Sequence, residues 1–145
     1  MAIGIDRPKI VLVEGQDEVH FVTALLDHMG IAGKFQVTPA GGKDSLAGRL
    51  KAIAKDSFVV GGNLEAVCVV RDADHDPDGA FASIQDALRR SSFPVPQQPF
   101  TLAGRRPCAV VAIFPDGGRE GMLEDLVYQC IADHPCATCV PPSMA

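Results

Sequence analysis

The chain has 145 residues, 47% of them hydrophobic and 21% charged, with a formal net charge of −5. That is the size and balance of one ordinary globular domain. The acidic balance excludes a protein that merely coats nucleic acid with a basic surface, but not an enzyme that meets phosphates through bound cations, because such ions reverse the local charge.

Lys9–Val13 (KIVLV) is a short β-branched run that reads as a buried strand. Residues 17–29 then place Val19, Phe21, Val22, Leu25, Leu26 and Met29 at helical spacing, with Asp17 available as N-cap and Gly30 as terminator. Residues 35–38 are a second strand candidate. Gly41 and Gly42 open a turn, and Leu46, Leu50 and Ile53 mark a helix ending near Asp56. Residues 66–70 form a third apolar strand run, followed by the acidic segment RDADHDPDG. Phe81, Ile84 and Leu88 mark a third helix, and residues 91–99 a proline-rich loop. A short strand is expected at 99–102, another at 107–114, and a fourth helix at 122–131.

This alternation predicts an α/β fold of Rossmann-like type. The expected sheet has four or five mostly parallel strands, with helices on both faces. It assigns one domain over residues 1–134 and an irregular tail over 135–145. The first and third strands are expected to be neighbours.

In open parallel sheets, ligands sit at the carboxyl ends of the strands. Three such ends carry acids here. The first strand runs into Glu14, with Glu18 a helical turn on. The third runs into Asp72 and Asp74, whose spacing puts both on one side of an extended chain. The last runs into Asp116, with Glu124 and Asp125 beyond it. Carboxylates also cap helices and complement their dipoles, so any one of these acids has an ordinary structural reading. DADHDPD, with four acids in seven residues beside an apolar strand, is less ordinary. Crowded carboxylates repel and raise one another's pKa. A hard cation such as Mg²⁺ removes that penalty and prefers oxygen ligands.

VLVEGQDEVHF (residues 11–21) resembles the first Toprim motif: a strand, a Glu-Gly pair, and an acid four residues after the Glu. VVRDADHD (69–76) resembles the second, an Asp-x-Asp after a strand. FPDGGREGMLEDLV (114–127) resembles the signature of a bacterial Toprim-like family of unknown function, DUF3226. A comparable late glutamate occurs in the more distantly similar OLD-type nucleases. The motifs in this order are more specific than any one of them.

The resemblance implies the Toprim fold and divalent-metal-dependent phosphodiester chemistry on nucleic acid, most simply nuclease activity with Mg²⁺ or Mn²⁺. It implies Glu14, Asp72 and Asp74 as catalytic groups. Glu14, Glu18, Asp72 and Asp74 are the implied metal ligands, with Glu124 a candidate for a second ion. Transient nucleic-acid binding follows, a protein partner or a second copy is left open, and no membrane association is expected. The start of the chain does not read as a signal peptide, because Glu14 interrupts its short apolar stretch. A cytoplasmic location is the default. The resemblance also leads one to expect more sequence after the last helix than the chain has.

Two alternatives stand beside this reading. One is a non-catalytic Toprim module that binds metal and a nucleotide or nucleic acid. The other is a phospho-receiver-like regulatory domain, which would need a lysine at a late strand end where Phe114-Pro115-Asp116 supplies none. A self-contained topoisomerase is excluded, since the only tyrosine, Tyr128, belongs to a core-like helix. Primases need a basic template-binding region that is not found.

Weaker signals remain. Gly41, Gly42 and Lys43 before a helix read as a plain turn, with a phosphate contact as the weaker alternative. Arg105, Arg106 and Arg119 read as solvated charge, with contact to a nucleic-acid backbone as the alternative. His75 beside the acidic pair reads as exposed. Cys130, His134, Cys136 and Cys139 form half of a zinc signature and read as tail. Cys68 and Cys108 read as small core residues.

Overall fold

The computed structural model describes residues 4–115. The expected helix at 122–131, Asp116, Arg119, Glu124, Asp125, Tyr128 and the Cys/His group near the end lie outside them.

The chain alternates as expected. Strand β1 is Lys9–Val13, helix α1 is Gln16–His28 and strand β2 is Phe35–Pro39. Helices α2 (Leu46–Lys55) and α3 (Ser57–Val60) precede β3 (Ala66–Asp72). Helix α4 (Pro77–Arg90) leads to β4 (Ala103–Gly104) and β5 (Cys108–Phe114). The five strands form one sheet in the order β2-β1-β3-β5-β4. All pairings are parallel except the short β4–β5 edge, which is antiparallel. The expected neighbours β1 and β3 pair directly, with Leu12 opposite Val69.

Strands buried on both faces carry apolar side chains at nearly every position, as β1 does. Alternate residues then serve two separate cores. Ile10, Leu12, Val67, Val69, Val111 and Ile113 point toward α2 and α4, where Leu46, Leu50, Ile53, Ile84 and Leu88 meet them. Val11, Val13, Val70 and Ala112 point the other way, toward Val22 and Leu26 of α1. Each fully buried Leu, Ile or Val contributes about 1.5–3 kcal/mol. Among the described residues, the β3–β5 half of the α1 side is open. It forms an apolar cavity of about 640 Å³ whose walls include Phe21, Leu25, Cys68, Val70, Leu102 and Val110.

Two local expectations change and one short helix is added. Gly15, not Asp17, is the N-cap of α1, and Asp17 falls in the first turn, where its charge faces the positive end of the dipole. Asp56 ends α2 with extended backbone, where the helix was expected to end, and caps the additional short helix α3 by accepting from the Phe58 amide at 2.9 Å. Residues 99–102 are not a strand. Pro99 has no amide to donate, Phe100 turns at φ 61°, and the edge strand starts at Ala103.

Candidate metal centre

Glu14 is the first residue beyond β1. Continuing the β1–β3 register by two places sets Glu14 level with Arg71, one residue short of Asp72. The Asp72 amide donates to Glu14 Oε1 at 3.2 Å, so the carboxylate bridges the ends of the two strands. Its backbone is held from the β2 side. The Gly41 and Gly42 amides donate to the Glu14 carbonyl at 3.0 and 2.8 Å. Two consecutive amides reach one carbonyl because both glycines adopt left-handed φ, +87° and +115°. These bonds give the Gly41–Gly42 turn a structural role. The two glycine amides are already engaged, and α2 begins only at Leu46, after the one-turn 3-10 helix Lys43–Ser45. The turn secures Glu14.

Glu18 stands in the first turn of α1 and reaches back, its Oε2 accepting from the Gly15 amide at 3.2 Å. This is half of a capping box, with the other half missing because glycine has no side chain. Asp72 closes β3 and is only 8% exposed. It is an even-numbered residue of β3, like Cys68 and Val70, so it faces the side from which α1 starts. One oxygen each of Glu14, Glu18 and Asp72 lies within 4.8 Å of the other two.

The remaining acids of DADHDPD separate. Asp74 takes φ 53°, so the chain is no longer extended there, and the alternation that paired it with Asp72 does not apply. Asp74 is outside the close trio, yet its charge reaches Glu14. Asp76 caps α4 by accepting from the Gly79 amide at 2.9 Å, and Asp78 sits in the first turn of α4. His75 is exposed. Arg105 and Arg106 are exposed just before β5, at the opposite end of the sheet from the carboxylates.

Burial pushes the Glu14 carboxyl above its ordinary value, and the charges of Asp74 and Glu18 push the same way. The hydrogen bond from the Asp72 amide and the Arg71 guanidinium oppose this without cancelling it. The Glu14 side chain is 17% exposed. A buried, repelled carboxylate at a strand end favours whatever neutralises it, a proton or a cation. Oxygens around Mg²⁺ stand about 3–4 Å apart when each lies about 2.1 Å from the ion. The trio therefore needs only small side-chain adjustment to fit a hard cation, and all its donors are of the right kind.

Arg71 is the site neighbour that motif reading passed over. Its Nε lies 3.8 Å from Glu14 Oε1, and its Nη1 donates to the Ala80 carbonyl at 3.4 Å. The signal was a charge inside an otherwise apolar strand run, immediately before the Asp-x-Asp. The Cys68 thiol is quiet by contrast. Cys68 and Cys108 are free thiols, and burial pushes Cys68 up to about 12, which keeps it in the unreactive thiol form.

These features define an α/β domain with a carboxylate cluster at the carboxyl edge of a mostly parallel sheet. The family model described as "Protein of unknown function (DUF3226)" matches residues 8–141, and the chain belongs to that family. No curated protein matches the chain, and no solved structure does. No helix among the described residues is long and apolar enough to cross a membrane.

Proposed function

We propose that this protein is a divalent-metal-dependent enzyme acting on phosphodiesters of nucleic acid, a nuclease of Toprim or OLD type. The observation that carries the reading is the meeting of Glu14, Glu18 and Asp72 within 4.8 Å, from two strand ends and a helix start. Folding alone does not favour such a meeting, since like charges raise one another's ionisation cost.

In this reading Glu14, Glu18 and Asp72 hold Mg²⁺ or Mn²⁺, and Asp74 adds charge to the same field. Glu124 is the proposed ligand of a second ion. The ions would supply charge stabilisation for the attacking and leaving oxygens of the displaced phosphate. The chain's own part is to place the ligands. The Gly41–Gly42 turn fixes the Glu14 backbone, the Asp72 amide orients its carboxylate, and the Gly15 amide orients Glu18. When Glu14 is not ligating, burial raises its pKa above the ordinary carboxylate value, the direction that makes a carboxylate a stronger base for proton transfer. With a net charge of −5, binding of nucleic acid is expected to be transient and metal-dependent.

The test is titration with Mg²⁺ and Mn²⁺ against a panel of end-labelled single- and double-stranded DNA and RNA. Cleavage that needs the ion and is lost on chelation is the expected result. Metal binding without cleavage of any substrate would favour a non-catalytic metal-binding module. Absence of metal binding would end the reading.

A further inference from the structure

Arg71 lies on the α2–α4 side of β3, and its side chain is only 15% exposed. Its Nε is close enough to Glu14 to attract it, at 3.8 Å, but this buried N–H has no hydrogen-bond partner. Glu14 Oε1 already accepts from the Asp72 amide. The guanidinium therefore offers charge to Glu14 without being locked to it. The same side chain borders a polar cavity of about 290 Å³ between α2 and α4, whose walls include Asp44, Ser83 and Asp86.

We propose that Arg71 is the resident counter-cation of the carboxylate site, partly offsetting the charge of Glu14 when no metal ion is bound and withdrawing when one arrives. It thereby sets the threshold concentration for the divalent cation. The proposal rests on the metal reading above. An ion on the trio would stand about 2 Å from a Glu14 oxygen and repel a guanidinium held beside that oxygen. The cavity gives the displaced group room and the Asp44 carboxylate, Asp86 being already paired with Arg89 and Arg90, while its bond to the Ala80 carbonyl remains as a pivot.

A purely structural Arg71 and a counter-cation differ in sign. If Arg71 only held Glu14 in place, its removal would weaken metal binding. If it competes with the ion, its removal tightens binding. Arg71→Met keeps much of the length and apolar packing but loses the charge, whereas Arg71→Lys keeps the charge. Calorimetric titration of the full chain with Mn²⁺ should give a Kd about tenfold lower for Arg71→Met, and within about twofold of wild type for Arg71→Lys. A second measurement needs no variant: the Arg71 Nε–H resonance of the wild-type protein should shift as Mg²⁺ saturates the site. Equal or weaker Mn²⁺ binding by folded Arg71→Met overturns the proposal, and so does an Nε–H resonance that Mg²⁺ leaves unmoved. These results leave the metal reading standing. If neither wild type nor the variants bind Mn²⁺, the metal reading falls and this proposal with it.

Discussion

On the α2–α4 face of the sheet, Ile10, Leu12, Leu50, Ile53, Ile84 and Leu88 are each at most 1% exposed, and every one of them improves the packing of the rest. At the carboxyl edge of the same sheet, Glu14, Glu18 and Asp72 are drawn together although their charges oppose it. The first region is what apolar burial produces unaided. The second exists because β1 and β3 are neighbours and because backbone amides of Gly15 and Asp72 bind the carboxylates where they are. The contrast teaches that stability and the site's chemistry reside in different side chains. Substitutions should therefore separate them.

The largest expected effect is on the rate. Glu14→Gln keeps size and hydrogen-bonding shape but removes charge and basicity. Single-turnover cleavage in Mn²⁺ should fall by about 10²–10⁴, the usual loss for an acid–base group. Substrate binding, measured at equilibrium, should change far less. Unchanged cleavage would remove Glu14 from the chemistry and blur the contrast drawn above.

Next comes the metal itself. Asp72→Asn combined with Asp74→Asn should abolish Mn²⁺ binding in calorimetry. The ion-free protein should be as stable as wild type or slightly more so, because repulsion is relieved. A double variant that binds Mn²⁺ normally would reduce the cluster to solvated strand-end acids.

The converse substitution belongs to the core. Leu50 is fully buried under the sheet. Leu50→Ala should cost about 2–5 kcal/mol in urea unfolding, while the folded fraction binds Mn²⁺ with wild-type affinity. If the affinity also fell substantially, core and edge would not be independent, and α2 packing would have to be counted as part of the site.

The residues differ in how far their behaviour could be read from sequence. β1 was legible to the residue because Lys9 opens the unbroken apolar run IVLV, and β3 was legible as far as Val70 because residues 66–70 are apolar throughout. The neighbouring of β1 and β3 was an expectation that the structure bears out, and it carries Glu14 to Asp72. What could not be read were features set by backbone geometry beyond the regular elements. Asp74 leaves extended geometry at φ 53°, which no two-residue spacing reveals. The Gly41–Gly42 pair reads from sequence as a turn, but sequence does not show that both amides meet the Glu14 carbonyl. Arg71 was missed because its importance lies in facing Glu14 across two strands, fifty-seven positions away in the chain.

The smallest expected effect is on stability against pH, and it tests the electrostatic side of the contrast without any substrate. The ordinary value for Glu14 is 4.5, and in the folded protein it is raised, chiefly by burial. Between the unfolded and folded values the folded state holds more protons at this position than the unfolded state. Stability therefore falls as pH rises through that window, and levels off once Glu14 is ionised in both states. Other acids titrate in the same range, so the quantity to follow is the difference between wild type and Glu14→Gln, which cannot ionise at that position. Urea unfolding in the presence of a chelator, from about pH 4 to about pH 8, should show wild type losing ground to the variant as pH increases. Saturating Mg²⁺ should remove or reverse that trend, since a bound cation favours the ionised carboxylate. A difference that stays flat without the ion would mean that Glu14 is no more hindered than a surface glutamate. A difference that rises with pH would mean that Arg71 and the Asp72 amide outweigh burial, and that the site is already neutralised before any ion binds.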